Sequence, residues 1–116
     1  MLSIDTSDRA FVRIRAQGVL RWRDYKGFEA RLSNELGRRH RPVPLMLDLK
    51  GFRGWSAPGL IRDLVFDLRH REAFSRIAVV GDARWHKWIT YLAIPLFRVK
   101  MRFFKVQDRA TEWLRA

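Results

Sequence analysis

The chain has 116 residues, 47% of them hydrophobic, and no cysteine. That suits one domain around one core, and it excludes disulfides and thiolate metal sites. Lys and Arg total 24 against 12 Asp and Glu, a net charge of +12, which favours nucleic acid or anionic lipid headgroups as partners.

The charge is uneven. Residues 1–41 carry ten basic and five acidic groups, residues 42–82 six and five, and residues 83–116 eight and two. The opening MLSIDTSDRAF lacks a basic region followed by an apolar run, so no signal peptide is expected. No apolar run reaches the roughly 20 residues of a spanning helix. The expected location is cytoplasmic, with peripheral association at the inner membrane surface left open.

In chain order, Leu2 to Asp5 reads as a short extra strand. Phe11 to Ala16 alternates, with Val12, Ile14 and Ala16 on one side and Arg13 and Arg15 on the other, as in a half-buried strand. From about Arg23 to Arg38, Tyr25, Phe28, Leu32 and Leu36 recur at helical spacing. Pro42 and Pro44 stop that helix.

Leu45 to Leu49 reads as a buried central strand, followed by KGFRGWS as a glycine-broken loop. Ser56 is the expected cap of the next helix, with Pro58 in its first turn. Leu60, Ile61, Leu64 and Leu68 form a helical stripe to about Arg71, and Ile77 to Val80 is a second buried strand ended by Gly81. A third helix covers Arg84 to about Ile94, Val99 to Phe103 alternates as a strand, and Asp108 is expected to cap a last helix bearing Trp113 and Leu114. Alternating strands and helices imply an α/β fold with parallel strands and helical crossovers. A single domain spanning 1–116 is expected.

The stretch LDLKGFRGWSAPGL, Leu47 to Leu60, places a loop between a buried strand and a helix. With FSRIAVVGDARW, VKMRFF and DRATEWL, it resembles the STAS domain of bacterial anti-sigma-factor antagonists. It is more similar still to the SpoIIAA-like family, related to STAS and Sec14-like lipid-binding domains. The resemblance implies a βα superhelix with a mostly parallel sheet of four to five strands. In the antagonists a serine in an Asp-Ser-Ser-Gly-Leu pattern is phosphorylated. Laid on this chain, the pattern falls on Ser56-Ala57-Pro58-Gly59-Leu60. The phosphorylated position is Ala57, which has no hydroxyl, so the fold carries over and the phospho-switch does not.

No converging catalytic set is visible, and an enzyme is not expected. His40, His70 and His86 show no metal-ligand spacing; no metal or cofactor is implied, and His86 reads as a surface residue. Asp63 and Asp67 lie beside Arg62, Arg69 and Arg71 and read as solvated ion pairs. Open parallel sheets bind ligands beyond the carboxyl ends of their strands. Those ends carry Asp48, Phe52, Trp55, Asp82, Trp85 and His86, with Trp88 close by. This aromatic set with few charges suits a lipophilic ligand.

The third helix is apolar nearly all round. Trp85, Ile89, Leu92 and Leu96 fall within about 40° of one line and are expected on the sheet, with Trp88 and Ala93 at the stripe's edges. The opposite face holds Lys87, Thr90, Tyr91 and Ile94, with Phe97 beyond and Arg84 and Arg98 flanking. Pro95 ends or kinks the helix. That outer face suits a movable lid, contact with an anionic membrane surface, or cover by the first helix or a second subunit in a homodimer. The expected function is a non-catalytic module that binds a lipophilic small molecule or associates peripherally with membrane. The alternatives are a STAS-like protein-interaction regulator and a non-specific nucleic-acid binder that uses Arg13, Arg15 and Lys100. No nucleic-acid-reading motif is present, so sequence-specific recognition is not expected.

Overall fold

The computed structural model describes all 116 residues. Twelve elements follow in chain order: β1 (Leu2–Asp5), β2 (Val12–Ala16), β3 (Gly18–Leu20), α1 (Trp22–Gly37), β4 (Val43–Asp48), β5 (Phe52–Trp55), α2 (Leu60–Arg71), β6 (Phe74–Val80), α3 (Arg84–Ala93), a 3₁₀ turn (Ile94–Leu96), β7 (Lys100–Phe104) and α4 (Gln107–Arg115). The main sheet has the order β1-β2-β4-β6-β7. Only β1 is antiparallel to its neighbour. The fold is α/β with a mostly parallel sheet, as the element alternation predicts.

Side-chain alternation divides the sheet into two faces. One face presents Val12, Ile14, Leu45, Ile77, Val79 and Met101 to α1, α2 and α3. Tyr25, Phe28 and Leu32 of α1 and Leu60 and Leu68 of α2 are buried there at helical spacing. The other face presents Met46, Ala78 and Val80 to Ala110 and Leu114 of α4. The central strands are covered on both sides, which is why they read as continuous apolar runs.

Four local expectations are corrected. Phe52–Trp55 is not a loop: it pairs in parallel with β3 to form a separate two-stranded sheet. Ser56 is not a helix cap: its N–H and its hydroxyl donate to the Leu20 carbonyl at 2.9 and 3.3 Å, which extends that small sheet by one rung. The N-cap of α2 is Gly59, at φ 81°, where an L side chain is strained, so Pro58 precedes the helix. Asp108 lies in the first turn of α4 and not at its cap, which is Val106. No helix is long and apolar enough to cross a membrane.

Candidate functional site

The β3–β5 pairing carries Phe52 and Trp55 over the carboxyl ends of the main strands. There they meet the first turn of α3. The Phe52 ring lies 5.2 Å from Trp85, 5.9 Å from His86 and 6.3 Å from Trp55, and Trp55 lies 6.4 Å from Trp85. Four of the seven ligand residues expected from sequence therefore form one cluster. Phe52 is buried, Trp85 half-buried and Trp55 40% exposed.

His86 is fully buried and is not the surface residue its position suggested. Nε2 donates to the Phe52 carbonyl at 2.9 Å. Nδ1 accepts from the N–H groups of Asp82 and Ala83, both at 3.3 Å. A carbonyl can only accept, so the ring is the neutral Nε2–H tautomer. It caps α3 and joins it to β5. Gly81 is required by this approach: a Cβ there would lie 2.7 Å from His86 Cβ and 2.8 Å from Nδ1. With both nitrogens engaged internally, His86 shapes the site and offers a ligand nothing polar.

Asp48 lies elsewhere. Sheet alternation turns it to the α4 face, 1% exposed, where Arg13 donates to Oδ2 at 2.6 Å and Arg15 approaches to 3.6 Å. Asp82 is exposed and accepts from the Gly51 N–H at 3.3 Å. Trp88 points away from the aromatic cluster and is 66% exposed.

The inner face of α3 is rotated from its expected line. His86 and Thr90 are buried, while Leu92 is 74% exposed and Leu96 is exposed too. Polar side chains can be buried when their hydrogen bonds close locally. Thr90 Oγ1 does so by donating to the His86 carbonyl at 2.8 Å. Among the expected outer contacts, Arg84, Lys87, Tyr91, Ile94 and Arg98 are exposed. Phe97 is not: the turn at Ile94–Leu96, with Pro95 in its first positions, swings it inward against the core.

This rotation opens a feature the sequence does not announce. α2 and α3 lie on the same face of the sheet but scarcely touch. Between them runs a surface groove of about 540 Å³, flanked by Trp55, Phe66, Leu92 and Leu96. Beneath it lies an apolar cavity of about 120 Å³ against the sheet, bounded by Ile14, Leu47, Val79 and Phe97. Ile61, Val65, Ile89 and Ala93 line both spaces. The signal available in sequence was Val65 and Phe66, apolar residues off the main stripe of α2. No group of three His, Asp or Glu side chains is placed to hold a metal ion.

The geometry matches known proteins at the level of family and fold. The profile of the SpoIIAA-like family matches residues 11–115. Among solved structures, the chain is similar to an uncharacterised protein with a SpoIIAA-like fold from Shewanella loihica PV-4. The TM-score is 0.80 and the identity 25%, over 98% of this chain and 92% of that one. No curated protein matches the chain. Matched over nearly its whole length, the chain belongs to the SpoIIAA-like family.

Proposed function

We propose that the protein is a non-catalytic binding module whose α2–α3 crevice takes a lipophilic ligand. The observation that carries this reading is the shared wall of groove and cavity at Ile61, Val65, Ile89 and Ala93. Ligand pockets commonly measure roughly 300–1,000 Å³. The cavity alone, at about 120 Å³, is too small, and the groove alone, at about 540 Å³, is open to water on one side. A chain-like apolar ligand lying in the groove, with one segment in the cavity, uses both. Each square ångström of apolar surface it buries contributes about 25 cal/mol.

The SpoIIAA-like fold fits a non-catalytic regulatory module. The antagonists' phosphorylation has no acceptor at Ala57, and the neighbouring Ser56 hydroxyl is already bonded to Leu20. The crevice wall is apolar but for Thr90, whose hydroxyl is bonded to His86, and the arginines Arg62 and Arg69 at the groove's edge.

A second reading, peripheral membrane association, draws on the outer surface of α3. Trp88, Tyr91, Leu92 and Leu96 are exposed together there, with Arg84 and Lys87 beside them. Such a surface suits an anionic bilayer interface.

The crevice reading is tested with cis-parinaric acid, whose fluorescence reports an apolar site. Wild-type protein should bind it saturably at one equivalent. Ala93→Trp, which fills the shared wall, should abolish that binding while the protein stays folded. Native mass spectrometry of protein taken from cells should show a bound lipid-sized mass. Absence of both saturable binding and bound mass would sink the reading.

A further inference from the structure

On the other side of α3 lies a concavity of about 620 Å³ that shares no wall residue with the crevice. Its walls carry three cations: Arg84 and Lys87 from α3, and Lys105 just past β7. Trp88, Tyr91 and Phe103 complete them. None of the three cations lies within ion-pair distance of a carboxylate; most basic residues of the chain share this, and what sets these three apart is that they line one concavity together with aromatic side chains.

The helix does not explain the charge of Arg84. The start of a helix is the positive end of its dipole, so cations there oppose the helix. Arg84 is the first residue of α3, and no acidic residue occupies the first turn to offset it. The two amides just before the helix, those of Asp82 and Ala83, are already bonded to His86. The one carboxylate on the wall, Asp82, accepts a hydrogen bond from the Gly51 amide at 3.3 Å.

We propose that this pocket binds an organic phosphate, with Arg84, Lys87 and Lys105 as counter-charge and its organic part against Trp88 and Tyr91. Three cations on one wall match the two negative charges of a phosphate monoester better than the single charge of a carboxylate, and the Arg84 guanidinium can engage two of its oxygens at once. The volume falls in the range of small-molecule pockets and exceeds what a bare ion fills. The Lys87 ammonium is 5.7 Å from the Tyr91 ring centre, so that cation and the aromatic wall adjoin. A soluble phosphate monoester and the monoester headgroup of phosphatidic acid offer the same chemistry to this pocket. The site stands without the crevice reading, and its test is separate.

The test titrates full-length protein with glycerol 3-phosphate by NMR at about 0.15 M chloride, where long-range attraction is screened. Saturable shifts are expected at the Trp88 indole and at the amides of Lys87 and Lys105. The Lys87→Gln/Lys105→Gln variant should bind about tenfold more weakly, with unchanged shifts elsewhere showing that it is folded; acetate should not compete. A parallel arm uses vesicles of phosphatidylcholine and phosphatidic acid. Vesicle binding that glycerol 3-phosphate displaces assigns the phosphate to a lipid headgroup. Glycerol 3-phosphate binding without vesicle binding assigns it to a soluble ester. The proposal is overturned if the shifts stay linear in concentration, if acetate matches them, if the double variant retains them, or if vesicles bind and glycerol 3-phosphate does not.

Discussion

The His86 ring has one N–H and one lone pair, and both are used inside the protein. The N–H reaches the Phe52 carbonyl across the chain, and the lone pair receives the amides of Asp82 and Ala83. One side chain thus fixes where β5 sits relative to α3, and with it the aromatic cluster of Phe52, Trp55 and Trp85. Removing the ring leaves a buried carbonyl and two helix-terminal amides without partners, and it leaves a void. Unmade hydrogen bonds of buried groups cost about 1–3 kcal/mol each, and voids add to that. His86→Ala is therefore expected to lower stability by on the order of 3 kcal/mol, read from urea denaturation. A loss below about 1 kcal/mol would mean that the ring is a passenger.

At the scale of elements, what sequence makes legible follows from where periodicity has a single cause. β4 and β6 are covered on both faces, so LMLDL and IAVV read directly as buried strands, and Tyr25, Phe28 and Leu32 reveal the buried line of α1. β5 escapes because a four-residue strand with Gly54 at φ 126° looks like a loop until β3 supplies its partner. α3 misleads for another reason: it has too many apolar residues to indicate one face. His86 and Thr90 take the inner line because their polar atoms are satisfied locally, which leaves Leu92 and Leu96 at the groove. The aromatic site was legible at Phe52, Trp55 and Trp85. The crevice was not, because it depends on how far α2 and α3 stand apart, a distance no local pattern encodes. The rotation is open to test. Leu92→Asp should change stability by less than about 0.5 kcal/mol, as at an exposed position. Ile89→Ala, half-buried between cavity and groove, should cost about 2 kcal/mol. Chemical denaturation of the two variants distinguishes this from a helix that packs through Leu92. If the outer face of α3 meets membrane, Leu92→Asp should also reduce sedimentation with phosphatidylglycerol vesicles. If it instead splits a dimer, that face joins two copies of the chain.

For the whole molecule, the +12 charge matters less than where it is free to act. On the α4 face much of it is engaged within the protein. Arg13 and Arg15 flank Asp48, Arg76 donates to the Trp113 carbonyl at 2.7 Å, and the guanidinium groups of Arg76 and Arg102 lie 4.9 and 5.7 Å from the Trp113 ring centre. Of the residues a nucleic-acid reading would use, Arg13 and Arg15 are thus committed to a buried carboxylate, while Lys100 is exposed. Trp113 is flanked by cations of its own chain and makes a poor stacking platform for bases. On the α3 side, Arg84, Lys87 and Lys105 have no carboxylate within ion-pair distance and sit beside exposed aromatic side chains, the Lys87 ammonium 5.7 Å from the Tyr91 ring centre. Duplex DNA should therefore bind through general electrostatics alone. Its affinity should fall by roughly a thousandfold between about 50 and 200 mM salt, because each phosphate contact releases condensed counterions. Binding to phosphatidylglycerol vesicles, if α3 inserts, should fall less steeply over the same range, since Leu92 and Leu96 contribute an apolar part that salt does not screen. Fluorescence anisotropy on two unrelated duplexes and vesicle sedimentation, run across the same salt series, compare the two slopes. A DNA complex that prefers one sequence and survives at about 150 mM salt would show that the cations of this chain read nucleic acid after all.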